Sequence, residues 1–123
     1  VYRKIAAESS TLFLGEWLFT TAAFGHSGDE ATYLEAQPDV LSFAQAIGIA
    51  FEDLCALRRE TIPQLVSDWA AGVDWSQYDV VGFTSMFEQN VAAQALARRI
   101  KESTPGAAIV FGGANFDGDM GPE

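Results

Sequence analysis

The 123-residue sequence predicts an α/β chain, with a helix-rich first part followed by a βαβ unit that forms one half of an open parallel sheet. Three observations predict it. Apolar residues recur at helical spacing up to about Trp75. Two short runs rich in β-branched and aromatic residues follow, at 78–84 and 107–111. Between them lies an alanine-rich helical stretch from about Glu88 to Glu102. The expected division is a single domain with a helical part (1–75), a βαβ part (76–115) and an acidic tail (116–123).

Taken in order, Leu14, Trp17, Leu18 and Ala22 fall at i, i+3, i+4 and i+8, the stripe of an amphipathic helix, and Gly25 is its stop signal. Ser27-Gly28-Asp29-Glu30 has capping-box spacing and opens a short helix through Leu34. Pro38-Asp39 starts a longer run in which Ile47, Phe51, Leu54, Leu65 and Trp69 share helical spacing, with Arg58, Arg59 and Glu60 interrupting. Pro63 is expected to kink or break that run, because it lacks an amide donor and its ring clashes with the preceding turn; Gly72 ends it. Residues 78–84 form a continuous apolar run of the kind found in strands buried on both faces. In the helix that follows, Val91, Leu96 and Ile100 form the expected buried side. Thr104-Pro105-Gly106 is a turn, and 107–111 is the second strand, ending in Gly112-Gly113. An isolated pair of strands is marginally stable. The helices of the first part, a further strand or a second copy of the chain must therefore cover the pair, and self-association is expected.

Composition narrows the function classes. Seventeen Asp+Glu against seven Lys+Arg give a formal net charge of -10, which repels phosphate backbones and anionic lipids, so nucleic acid and membrane surfaces are excluded as partners. One cysteine, Cys55, allows no internal disulfide and no cysteine-based cluster from this chain alone, and fits a reducing cytoplasm; in its apolar helical run it reads as a core residue. One histidine, His26, allows no multi-histidine metal centre, and its loop setting reads as solvent decoration. No segment approaches the roughly 18 uninterrupted apolar residues of a membrane span. Neither terminus carries an initiator methionine or signal-peptide pattern, and both look cut from a longer protein.

In an open parallel sheet, ligands bind beyond the carboxyl ends of the strands. Two loops hold that position: Thr84-Ser85-Met86-Phe87-Glu88-Gln89-Asn90 and Gly112-Gly113-Ala114-Asn115. Their small and hydrogen-bonding residues suit close approach of a bulky ligand rather than catalysis. Each has a plainer reading. Ser85-Met86-Phe87-Glu88 is a capping box, so Ser85 starts the helix, and Gly112-Gly113 is a turn. Glu16 reads either as a buried functional carboxylate or as a surface or capping residue. Asp117, Asp119 and Glu123 read as solvating charge. No nucleophile–base set can be assembled, so no catalytic residue and no metal ligand is assigned.

At these loops the sequence resembles a known family. Residues 78–90, then Ala95-Leu96-Ala97-Arg98-Arg99-Ile100-Lys101-Glu102 and Val110-Phe111-Gly112-Gly113-Ala114-Asn115, resemble the N-terminal cobalamin-binding domain of cobalamin-dependent radical S-adenosylmethionine proteins. These proteins mature ribosomally made peptides and include C-methyltransferases. Leu14-Gly15-Glu16-Trp17-Leu18-Phe19 and Ala23-Phe24-Gly25 are similar to the segment preceding the loops in that family. Thr84-Ser85-Met86 lines up with the wider class's Ser-x-Leu signature and Gly112-Gly113 with its Gly-Gly, with residues 87–111 between. The Asp-x-His-x-x-Gly signature and the Cys-x3-Cys-x2-Cys cluster motif are absent.

The resemblance implies a partial Rossmann-like sheet and cobalamin as cofactor, held by Thr84, Ser85, Met86, Phe87, Gln89, Gly112, Gly113, Ala114 and Asn115. It implies a parent methyltransferase whose radical domain, S-adenosylmethionine and [4Fe-4S] cluster lie outside this chain, and which acts on a peptide; the fragment alone is not catalytic. It also implies a domain truncated at both ends. Two other readings stand beside it: a non-catalytic flavodoxin-like or receiver-like interaction module, and a leader-peptide-binding module without cofactor.

Overall fold

The computed structural model describes residues 5, 13–25 and 28–117. His26, Ser27, Asp119 and Glu123, with the rest of the acidic tail from 118, lie outside the described residues. The described elements are α1 (Leu14–Phe24), α2 (Glu30–Ala36), α3 (Val40–Ile47), α4 (Phe51–Ala56), a π-helical segment (Leu57–Thr61), α5 (Ile62–Ala71), β1 (Val80–Thr84), α6 (Asn90–Ser103) and β2 (Ala108–Gly112). Short 3-10 turns at Trp75–Gln77 and Ala114–Phe116 flank the βαβ unit. Among the described residues no single helix is long and apolar enough to cross a membrane.

The predicted stripe of α1 holds: Leu14, Trp17, Leu18 and Ala22 are all buried, and Phe19 and Ala23 join them. A helix buried on so many sides is central. Gly25 ends α1 in the left-handed conformation, its amide donating to the Thr21 carbonyl. Asp29, the N-cap of α2, accepts from the Ala31 amide at 2.9 Å and the Thr32 hydroxyl at 3.0 Å.

The long helical run departs from expectation in three ways. It breaks at Gly48, so α3 meets the helix 51–71 at 97°. It does not break at Pro63. The π segment just upstream bonds the Ile62 amide to the Leu57 carbonyl, widening the turn into which the proline ring must fit. The wider turn also rotates the buried face. Leu54, Arg58, Ile62, Val66 and Ala70 are buried, each four residues after the last, whereas Trp69 is 52% exposed and Leu65 only half-buried. Straight α-helical periodicity of about 3.6 residues per turn had placed Leu65 and Trp69 inward.

β1 and β2 pair in parallel, from Val80 opposite Ala108 to Thr84 opposite Gly112. Among the described residues only one of the two strand faces is covered, so two-sided burial is not met within them. Val81, Phe83, Ile109 and Phe111 are half-buried on the α6 side, where the Phe83 and Phe111 rings stack at 5.3 Å. The opposite face exposes Val80 (59%), Gly82, Ala108 and Val110 (53%), because no described element lies against it. The residues are apolar enough for a two-sided sheet, but the described helices cover one side only. Within α6, Ala95, Ala97 and Ile100 are buried, while Val91 and Leu96 pack half-buried against the core.

Candidate functional site

The two loops beyond the strand ends are knitted into one structure. The ladder extends past β1 through the Ser85 amide, which donates to the Gly112 carbonyl at 2.8 Å. The Asn115 amide donates to the Ser85 carbonyl at 3.2 Å. The Asn115 side-chain amide donates to the Ser85 hydroxyl at 2.8 Å and to the Phe87 carbonyl at 2.9 Å. Gly113 makes this closeness possible. Its φ is 98°, and a Cβ there would sit 2.6 Å from the Ser85 carbonyl oxygen and 2.9 Å from its nitrogen. Only glycine combines that φ with so close a backbone crossing.

Of the nine sequence-predicted residues, Ser85, Phe87, Gly112 and Asn115 are directly joined by these bonds, and Gly113 crosses the Ser85 backbone in close contact. Gln89 braces the first loop by accepting from the Met86 amide at 3.1 Å. Thr84, Met86 and Ala114 face outward, as does Phe87, which is 83% exposed in a left-handed conformation (φ 50°). The capping-box reading of Ser85 is overturned. α6 begins at Asn90, not after Ser85, and the fully buried Ser85 hydroxyl is taken up by Asn115. The predicted Gly112-Gly113 turn is a backbone crossing as well as a turn.

The true cap of α6 comes from α1. Glu16 accepts from the Asn90 amide at 2.9 Å and the Val91 amide at 2.8 Å, filling two of the four donors a helix start leaves open. Glu88 answers by accepting from the Gly15 amide at 3.1 Å. Gly15 permits this approach, since a Cβ there would meet the Glu88 carboxylate at 2.6 Å. The other Glu88 oxygen is buried without a hydrogen bond among the described residues. Burial pushes the Glu88 carboxyl above its ordinary value; the Gly15 amide opposes this and the charge of Glu16 adds to it. Tyr33, stacked on Trp17 at 4.3 Å, is pushed up to about 12, first by burial and then by Glu88.

Sequence reasoning passed over Arg58 as an interruption. Its side chain is 4% exposed, its Nε donates to the Trp17 carbonyl at 3.2 Å and the Thr20 hydroxyl at 3.0 Å, and its guanidinium lies 4.7 Å over the Trp17 ring. Glu30 lies 3.7 Å away and is bridged by Arg59. Cys55 is buried as expected, and burial, with Glu30 nearby, raises its thiol to about 11, leaving it inert at neutral pH. No signal in the sequence separates Arg58 from a surface arginine, because its burial depends on the phase set by the π segment.

A separate open depression of about 400 Å³ lies between α6 and β2, lined by Gln94, Ala97, Arg98, Lys101, Ile109 and Phe111. None of the predicted site residues lines it. Among the described residues, no group of three or more His, Cys, Asp or Glu is arranged to hold a metal ion. Comparison with protein families, with curated proteins and with solved structures finds no match for this chain.

Proposed function

We propose that this chain is the cobalamin-binding part of a radical S-adenosylmethionine protein that methylates a peptide. The observation that carries the reading is the crossing of Gly113 over the Ser85 backbone, which brings the two loops of the resemblance into one ligand-facing rim. That rim lies at the carboxyl ends of adjacent parallel strands, where ligands of such sheets bind. Thr84, Met86, Phe87 and Ala114 offer it an exposed hydroxyl, apolar side chains and backbone. Ser85, Gln89, Gly112, Gly113 and Asn115 hold the rim together rather than face outward alone. Cobalamin supplies the organometallic chemistry when bound, and these residues position it. The radical domain and the peptide substrate belong to the parent protein.

Titration with hydroxocobalamin, read by visible absorbance and calorimetry, tests the reading. Saturable binding with a shifted corrin spectrum supports it, as does weakening by Thr84→Ala and loss with Gly113→Val in a variant that still folds. Equal affinity in both variants removes the rim as the site. A second reading, a cofactor-free interaction module, is favoured by the bare apolar sheet face at Val80 and Val110. An unchanged corrin spectrum with folded protein supports that reading.

A further inference from the structure

α1 and α6 run side by side in the same direction. Their first turns meet through Glu16 and Glu88, and eight residues further along each helix the Arg98 guanidinium donates to the Ala23 carbonyl at 2.9 Å. Parallel alignment places two partially positive helix starts together, which is unfavourable without negative charge between them. The two carboxylates supply that charge at one end, and Arg98 supplies the complementary charge near the other. Each start lacks a cap of its own: Phe13 and Gln89, the N-cap residues, make no side-chain cap bond. The bonds therefore span more than seventy residues of sequence, in place of the local bonds a capping box would make.

The consequence reaches the rim. Residues 85–89 are held at one end by Asn115 and Gly112, and at the other by the start of α6, which Glu16 grips. We propose that Glu16 and Glu88 form a reciprocal carboxylate interlock that positions the 85–89 loop, making them positioning residues for whatever the rim binds. The interlock itself stands without the cobalamin reading; its effect on ligand affinity rests on that reading.

Amide hydrogen exchange on the chain tests it. Glu16→Gln keeps the shape but removes the charge and one of the two acceptor oxygens. It is expected to speed exchange at Asn90 and Val91 roughly ten- to a hundredfold. The Ala108 amide, which donates to the Asp79 carbonyl at 2.8 Å, keeps its wild-type rate. The Asn115 side-chain amide resonances shift in Glu16→Gln, whereas Arg98→Met, which loosens the far end of the same helix pair, leaves them in place. Glu88→Ala exposes Gly15 instead. Wild-type exchange at Asn90 and Val91 in Glu16→Gln overturns the interlock, as does a rise that merely follows Ala108. Unmoved Asn115 resonances overturn the positioning role. Hydroxocobalamin affinity, measured on the same variants, is expected to fall about tenfold with Glu16→Gln. Absence of binding by the wild type counts against the cobalamin reading alone and leaves the exchange result to decide the interlock.

Discussion

The helical layer and the sheet are built from similarly apolar sequence, yet they end in opposite conditions. α1 is buried on most sides, with Leu14 and Leu18 at 0% and 1% exposure. The strands keep one face against α6 and leave Val80 and Val110 more than half exposed on the other. The difference lies in the number of partners. α1 contacts the 51–71 helix and α6, whereas among the described residues β1 and β2 pair with each other and border α6 only across the open depression at Ile109 and Phe111. An apolar side chain stabilises the fold only where something covers it. The same residue type therefore counts heavily in one region and little in the other.

The sharpest way to break the comparison is at α1. Leu18→Ala leaves a cavity in the fully packed layer and is expected to cost about 3 kcal/mol in denaturant unfolding. Arg58→Ala comes next, at about 2 kcal/mol, because it removes the buried Nε donor to the Trp17 carbonyl and the Thr20 hydroxyl together with the guanidinium packed over the Trp17 ring; the Trp17 carbonyl keeps only the Thr20 hydroxyl as a side-chain donor. Gly113→Ala is expected to cost a similar amount, at least about 2 kcal/mol, through its φ of 98° and the Ser85 backbone in its way. Val110→Thr on the bare sheet face is expected to change stability by less than about 0.5 kcal/mol, provided nothing covers that face in solution. A larger loss, accompanied by a fall in apparent mass by light scattering, indicates that a second copy packs there.

The pH dependence sharpens the same contrast at the junction of the two regions. The folded protein raises the Glu88 carboxyl above its ordinary value of 4.5, with Glu16, Tyr33 and the Gly15 amide facing it. A carboxyl raised on folding contributes stability that is fully present below its unfolded value and lost as pH rises through its folded value. Relative to Glu88→Gln, the wild type is therefore expected to gain stability on going from neutral pH down towards 4. Parallel stability–pH curves for the two proteins show that Glu88 titrates alike in both states.

The elements whose boundaries rest on local chemistry were legible. The stripe of α1, its stop at Gly25, both strands and the intervening helix follow from side-chain periodicity and turn residues within a few positions, whereas the capping-box spacing points to Ser27 and the structure caps α2 with Asp29. The loops carrying the candidate site were legible as loops for the same reason. Their knitting together was not, because the Ser85–Asn115 bond joins residues thirty apart.

Ser85-Met86-Phe87-Glu88 shows the limit most clearly. The spacing of a local cap is present, but Glu88 is drawn to α1 and Glu16 caps α6 in its place. The inward turn of Arg58 and the outward turn of Trp69 likewise depend on one widened helical turn. The sequence determined by itself the helical or strand character of most segments, though not the break at Gly48 or the start of α6 at Asn90, because those preferences act over a few residues. Tertiary structure alone decided which carboxylate caps which helix, which side chains are inside and which sheet face stays bare, because a hydrogen bond or a buried surface requires a partner that only the folded chain brings within reach.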